Sequence, residues 1–179
     1  MAKVAMKYAE ALFGTSLDAN NLDVVYEQFS EVENAVSSEI QVLKELDLDP
    51  KKNKEQRVHF AEKVFASAND YLLNMLKVLA SNRHLGMVSE VYSSFNHLYN
   101  KHNNRDYAVI ESVYALSNEE LDEIGKKIIQ QTKLSKVLLK NEINEQLIGG
   151  IRVKVGTKVM DASIQNDLAQ LEKNFKKVH

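Results

Sequence analysis

The chain has 179 residues, 44% of them hydrophobic and 27% charged, with a formal net charge of -2, so it is long enough to bury one core or two small ones in an ordinary globular composition. It has no cysteine, which excludes disulfides, thiolate nucleophiles and cysteine-based zinc sites, and its five histidines lack a paired helical spacing for a metal. Slight acidity argues against nucleic acid as a partner, no apolar run approaches the ~18 residues of a membrane span, and the first residues lack the apolar stretch of a secretory signal, so a cytosolic chain is expected.

In chain order, Val4, Ala5, Tyr8, Ala9, Leu12 and Phe13 recur at three and four, which predicts an amphipathic helix to Leu17, with Gly14, Asn20 and Asn21 near its end. Much of this stripe is alanine, which lets neighbours approach closely. Leu22, Val25, Phe29, Val32 and Val36 predict a second helix, and Ile40, Leu43 and Leu46 a short third one before the only proline, Pro50. Asn53 to Gln56 is a capping box that opens a fourth helix through Val58, Ala61, Val64 and Phe65. Asp70 reads as the cap of a fifth, which bears Leu72, Leu73, Met75, Leu76, Leu79 and Ala80. That arc is too broad for a surface helix and implies burial on several sides. A sixth helix runs from about Met87 to Asn103, with Val88, Val91, Tyr92, Phe95, Leu98 and Tyr99 as its core face. Short connections between the six predict an all-α bundle over residues 1–104.

The polar run from Lys101 to Asp106 reads as a domain boundary. Beyond it, Tyr107 to Ala115 predicts a strand. Ser117 to Glu120 is a second capping box, followed by Leu121, Ile124, Ile128 and Ile129 at helical spacing, and Lys136 to Ile143 is another strand. Ile151, Val153 and Val155 alternate with Arg152 and Lys154, a third strand. Gly156-Thr157 suits a two-residue hairpin turn that sets Val153 opposite Met160 and Arg152 opposite Asp161. Ile164, Leu168, Leu171 and Phe175 then form one helical stripe, capped by Asp161 or Ser163. Adjacent glycines at 149 and 150 suggest a bulge, a bend or a second backbone lying very close. Residues 105–179 therefore predict an α+β domain whose sheet has one face covered by two helices. The fold class is mainly α, an N-terminal six-helix bundle plus a small C-terminal α+β domain.

Little in these residues suggests catalysis. Glu10, Asp70, Glu111 and Asp161 could serve as acids or bases, but each reads better as a cap or a solvated group. No phosphate loop appears, since Gly149-Gly150 lacks the Lys-Ser/Thr sequel, so neither a catalytic residue nor a cofactor-binding or metal site is expected. Lys173, Lys176 and Lys177 read as a solvated helix end that suits the dipole.

The letters Leu147-Ile148-Gly149-Gly150, then Val153, Val155-Gly156, and Asp161, Ser163, Leu168 and Leu171 resemble the C-terminal signature of the δ subunit of the rotary ATP synthase, the oligomycin-sensitivity-conferring protein of mitochondria. More loosely, Tyr8-Ala9-Glu10-Ala11-Leu12-Phe13 and Leu76-Lys77-Val78-Leu79-Ala80-Ser81-Asn82-Arg83 are similar to that family's first helix and to the end of its fifth. The resemblance implies a non-catalytic stator subunit, peripheral to the cytoplasmic face of the cell membrane, that supports coupling of ion flow to ATP synthesis. Its bundle would grip the N-terminal helices of the α subunit, and its C-terminal domain would hold the b subunits of the peripheral stalk. On helices one and five, the broad arcs and the resemblance together nominate Tyr8, Ala9, Leu12, Phe13, Leu76, Leu79, Ala80 and Arg83 for the head. Gly149, Gly150, Gly156, Asp161, Ser163, Leu168 and Leu171 form the C-terminal structural signature. Without the resemblance, the residues equally allow a soluble helical protein-interaction adaptor unrelated to ATP synthase, whose partner would be a helix laid in an apolar groove.

Overall fold

The computed structural model describes residues 2–156 and 158–177, and the side chains of these except at 2, 171, 172 and 174–177. The chain divides into two compact units, Met1–Tyr99 and Asn100–His179. The first holds α1 (Ala2–Asp18), α2 (Leu22–Val36), α3 (Ile40–Leu48), α4 (Lys54–Val64), α5 (Asp70–Ser81) and most of α6 (Val88–His102), with 3-10 turns at Ser37–Glu39 and Leu85–Met87.

α5 lies at the centre of the bundle. Leu72, Leu76, Leu79 and Ala80 are fully buried, together with Val25 and Phe29 of α2 and Val88, Val91 and Phe95 of α6, so its broad arc is met on several sides as its spacing requires. Phe29 and Phe95 centre this core, with ring centroids 5.7 Å apart. Val4 and Val64, expected in the core, are instead 37% and 51% exposed, because each flanks a stripe that neighbouring helices already cover.

Helix ends account for most other differences from the sequence reading. α1 passes through Gly14 and stops at Asn20, whose φ is 53°. Asn21 N–H donates to Ser16 O at 2.9 Å and Asn20 N–H to Leu17 O at 3.1 Å, a Schellman motif with asparagine in the left-handed position. α5 is capped by Asn69, whose side chain accepts from Tyr71 N–H at 3.0 Å, and not by Asp70. Asp70 is the first helical residue, where its carboxylate faces the positive dipole end but cannot fold back to cap it. The capping boxes at Asn53/Gln56 and Ser117/Glu120 are both formed. The polar run read as a domain boundary is mostly regular structure: α6 continues to His102 and a strand starts at Arg105, and the two compact units divide just before the run, between Tyr99 and Asn100. Its polarity reflects the wet face of regular structure, not a loss of structure.

In the second unit, β1 (Arg105–Ser112), α7 (Asn118–Thr132), β2 (Lys136–Ile143), β3 (Gly150–Val155), β4 (Lys158–Ser163) and α8 (Ile164–Lys177) follow in that order. The sheet order is β2-β1-β3-β4, with β1 and β2 parallel and the other pairs antiparallel. Ala108, Ile110, Val153 and Val155 face Ile128, Leu121 and Ile124 of α7. Among the described side chains, the helical residues of that core come from α7. α8 begins at the residue after β4, and its Ile164 and Leu168 are 47% and 55% exposed. Leu171 and Phe175, the rest of its predicted stripe, lie outside the described side chains.

The β3–β4 hairpin has the expected register, with Val153 opposite Met160 and Arg152 opposite Asp161. Gly156 supplies a φ of +54° at the turn, and Thr157 lies outside the described residues. Two of the readings left open for the glycine pair hold together at Gly150. Its φ is +78°, and a Cβ there would collide with the Ala162 carbonyl oxygen and lie 3.0 Å from Ser163 Cα. Gly149 is confronted only by the Ile164 Cδ1 end at 2.7 Å, a side chain that can turn away.

Ser163, not Asp161, caps α8: its Oγ accepts from Asn166 N–H at 3.2 Å. Asp161 orients that cap, accepting from the Ser163 hydroxyl at 2.6 Å and N–H at 3.1 Å through Oδ1, and from Arg152 Nε at 2.8 Å through Oδ2. The Ser163 hydroxyl first, then Arg152, holds the Asp161 carboxyl below its usual range. Glu111, only 7% exposed, accepts from Lys154 Nζ and from Asn144 Nδ2 at 2.9 Å, with Arg152 Nη1 3.5 Å away. The Lys154 bond, followed by that from Asn144, holds it below the carboxylate range as well.

Three outcomes follow from these contacts. In the bundle, a Cβ on Gly86 would lie 2.5 Å from Lys44 Cγ and 3.0 Å from Lys44 Cα, so Gly86→Ala must push α3 outward. It is expected to destabilise by about 1–3 kcal/mol in denaturant melts. Gly150→Ala, strained at both φ and contact, is expected to cost on the order of 2–3 kcal/mol and to raise amide exchange across β3 and β4, whereas Gly149→Ala costs less. Because the folded-state pKa values of Asp161 and Glu111 are depressed, their stabilisation is complete above the ordinary carboxylate range, about pH 4, and is lost as pH falls through the folded values. A plot of melting temperature against pH should therefore fall less steeply below pH ~4 for Asp161→Asn than for the wild type; identical slopes would refute the assignment.

Candidate partner-binding site

Alanines at 5 and 9, both fully buried, bring α1 and α5 together closely enough for their outer faces to form one shallow groove. It is lined by Tyr8, Ala11, Leu12 and Thr15 from α1 and by Tyr71, Asn74, Met75 and Val78 from α5, with a volume of about 300 Å³. Among the described residues, no charged side chain lines it. Val78 is 47% exposed and Tyr71 36%, a large apolar area for side chains on one face.

The eight residues nominated for the head divide sharply. Tyr8 and Leu12 line the groove. Ala9, Leu76, Leu79 and Ala80 lie beneath it in the core, fully buried. Phe13 packs edge to face on Phe95 with centroids 6.2 Å apart, and Arg83 reaches the α3 end, donating to Asp47 O at 3.1 Å. The groove residues that were not nominated are Ala11, Thr15, Tyr71, Asn74, Met75 and Val78. A signal was present: Tyr71, Met75 and Val78 are spaced four and three, a second stripe beside the buried Leu72, Leu76 and Leu79.

The turn after α5 closes one end of the groove. Asn82 Nδ2 donates to the Tyr8 hydroxyl oxygen at 3.0 Å, and that hydroxyl lies 3.2 Å from His84 Nδ1. The Tyr8 and His84 rings meet edge to face, with centroids 6.0 Å apart. Arg57, 4% exposed, donates to Ala80 O at 2.9 Å, to Ser81 O at 3.3 Å and to Lys52 O at 2.6 Å, holding the last carbonyls of α5. Asp47 accepts from Gly86 N–H at 2.6 Å, and burial pushes its carboxyl up.

A larger hollow, about 550 Å³, opens between α2, α3 and α4 over Val32, Val36, Leu43, Phe60 and Phe65, but Glu31 and Glu39 stand in its wall. An apolar helix docked there would desolvate two carboxylates, which is costly without cationic partners. The smaller, uncharged groove is therefore the better fit for an apolar partner face.

In the second unit, the signature residues serve as structure: Gly150 and Gly156 as backbone, Asp161 and Ser163 as the cap of α8. Leu168 is exposed, and the Leu171 side chain lies outside the described residues. Ile148, Val159, Ile164 and Leu168 are each at least 47% exposed. Among the described residues no group of His, Asp or Glu could hold a metal ion, and no helix is long and apolar enough to cross a membrane.

Residues 4–175 match the family described as ATP synthase delta (OSCP) subunit. An ATP synthase subunit delta of Staphylococcus saprophyticus subsp. saprophyticus is 59% identical over 178 residues, covering 99% of each chain. Another, from Staphylococcus aureus strain JH9, is 50% identical over 179 residues and covers 100% of each. A chain of the Toxoplasma gondii mitochondrial ATP synthase hexamer superposes with a TM-score of 0.68 at 22% identity over 96% of each chain, which shows the shared fold. The role that goes with the family is that of a non-catalytic stator component, a subunit of the ATP synthase linked to its peripheral stalk in a membrane-associated complex. Since the family match runs through both the helical unit and the sheet unit, this chain belongs to the ATP synthase delta (OSCP) subunit family.

Proposed function

We propose that the helical unit holds the N-terminal helix of the α subunit in the α1–α5 groove, while the sheet unit holds the b subunits of the peripheral stalk, at the cytoplasmic face of the membrane. The observation that carries this reading is the uncharged groove between α1 and α5, with Val78 and Tyr71 left 47% and 36% exposed. An amphipathic helix buries its apolar face in such a groove through anchors spaced at i, i+3, i+4 and i+7. A stator must also resist the torque of the rotor, which requires dissociation slow compared with turnover. Slow dissociation comes from apolar anchors seated in fitted surfaces, not from long-range charge. For the stalk, the exposed Ile164 and Leu168 of α8 offer a matching apolar stripe.

Val78→Asp tests the groove without touching the core, because Val78 faces water in the free chain. It is expected to weaken binding of a synthetic peptide carrying the α subunit's N-terminal helix by roughly ten- to a hundredfold, since a carboxylate would be desolvated against it. Ala9→Asp is the wrong probe, because Ala9 is fully buried and the variant would unfold the bundle. Val42→Asp, in the wall of the larger hollow, should leave binding unchanged. Equal loss from Val42→Asp, or none from Val78→Asp in calorimetry, would move the site.

A further inference from the structure

The groove has one wall whose position depends on groups outside it. Tyr8 is half-buried on α1 and lines the groove, and a tyrosine on a helix surface has more than one staggered χ1 open to it. Three contacts select the observed one: the Asn82 amide at 3.0 Å, His84 Nδ1 at 3.2 Å and the edge of the His84 ring. With Asn82 donating to the Tyr8 oxygen, the hydroxyl hydrogen is free to be donated to His84 Nδ1, so both capacities of the phenol are used. The backbone carrying both partners is fixed. Arg83 sits between them at a φ of 60°, and His84 N–H donates to Leu79 O at 2.9 Å, which ties the backbone of both residues to the closed end of α5.

We infer that Asn82 and His84 are positioning residues for partner capture, acting through the Tyr8 hydroxyl to hold the groove open in its binding shape. This rests on the reading of the α1–α5 groove as the seat of a partner helix. Asn82 is exposed, so in the free chain water competes for these hydrogen bonds and they add little to stability. When an apolar helix covers the groove, that water leaves. A phenol already bonded to Asn82 and His84 is then buried without an unmatched polar group, whereas an unpaired one is costly. The contribution therefore belongs to affinity and not to folding.

Calorimetry of the full chain with the α subunit N-terminal peptide tests this through a double-mutant cycle. Tyr8→Phe and His84→Ala are each expected to weaken binding about three- to tenfold, with melting temperatures close to that of the wild type. In combination they should weaken it no further than Tyr8→Phe alone, because both remove the same bond. His84→Asn, which places an acceptor where Nδ1 stood, should recover most of the loss. Additive losses, full affinity for Tyr8→Phe, or losses that simply follow melting temperature would overturn the inference while leaving the groove in place. A wild-type chain that fails to bind the peptide would instead overturn the reading of the groove itself.

Discussion

The bundle depends on how the C-terminal end of its most buried helix is closed. α5 is covered on several sides, so its last carbonyls on those sides cannot be left to bulk water, and a buried carbonyl without a partner costs about as much as a lost hydrogen bond. Two devices meet this demand. The turn through Arg83 returns the His84 N–H to Leu79 O, and Arg57 reaches across from α4 to Ala80 O and Ser81 O. A cation at this end also meets the negative pole of the helix. Once the turn is fixed, its neighbours follow. Gly86 must lie against Lys44 of α3 with no room for a Cβ, Asp47 takes the Gly86 N–H, and Asn82 and His84 are delivered to Tyr8 at the rim of the groove.

The sheet unit answers a comparable constraint with a different device. Its hairpin folds tightly enough to leave no space for a side chain between Gly150 and the Ala162–Ser163 backbone. That approach places Asp161 between Arg152 and Ser163, so one carboxylate both pairs across the strands and orients the cap of α8. The start of α8, and hence the position of Ile164, is thus fixed by the hairpin and its cap.

For a stator component, these features serve a mechanical purpose. Torque must pass from one partner to another through surfaces that do not slip, and neither unit needs a reactive group for that. Rigid helix ends and caps keep exposed apolar stripes in fixed positions, so that ordering them on binding costs little. Residues that resemble an acid-base set, such as Glu111 and Asp161, are consumed by ion pairs and caps.

Periodicity determined the six helices and the succession of strands and helices that follows them, because repeats of 3.6 and 2 follow directly from which face must leave water, and the Gly156 turn added the hairpin register. The spatial order of the strands, β2-β1-β3-β4, came only with the fold. The capping boxes at Asn53 and Ser117 were legible for the same local reason. The signature at residues 147–171 likewise identified the family, since glycine positions and caps are set by backbone geometry within a few residues. What the sequence could not decide was which apolar residues remain wet. Ala9 and Leu76 share the helical pattern of Tyr8 and Val78, yet burial depends on where another helix lies, a matter of tertiary packing. Arg57 stands in a run of polar residues, Lys54-Glu55-Gln56-Arg57, and nothing local marks it as buried. Only the fold brings the end of α5 within its reach, and only the fold leaves Ile164 and Leu168 of α8 exposed.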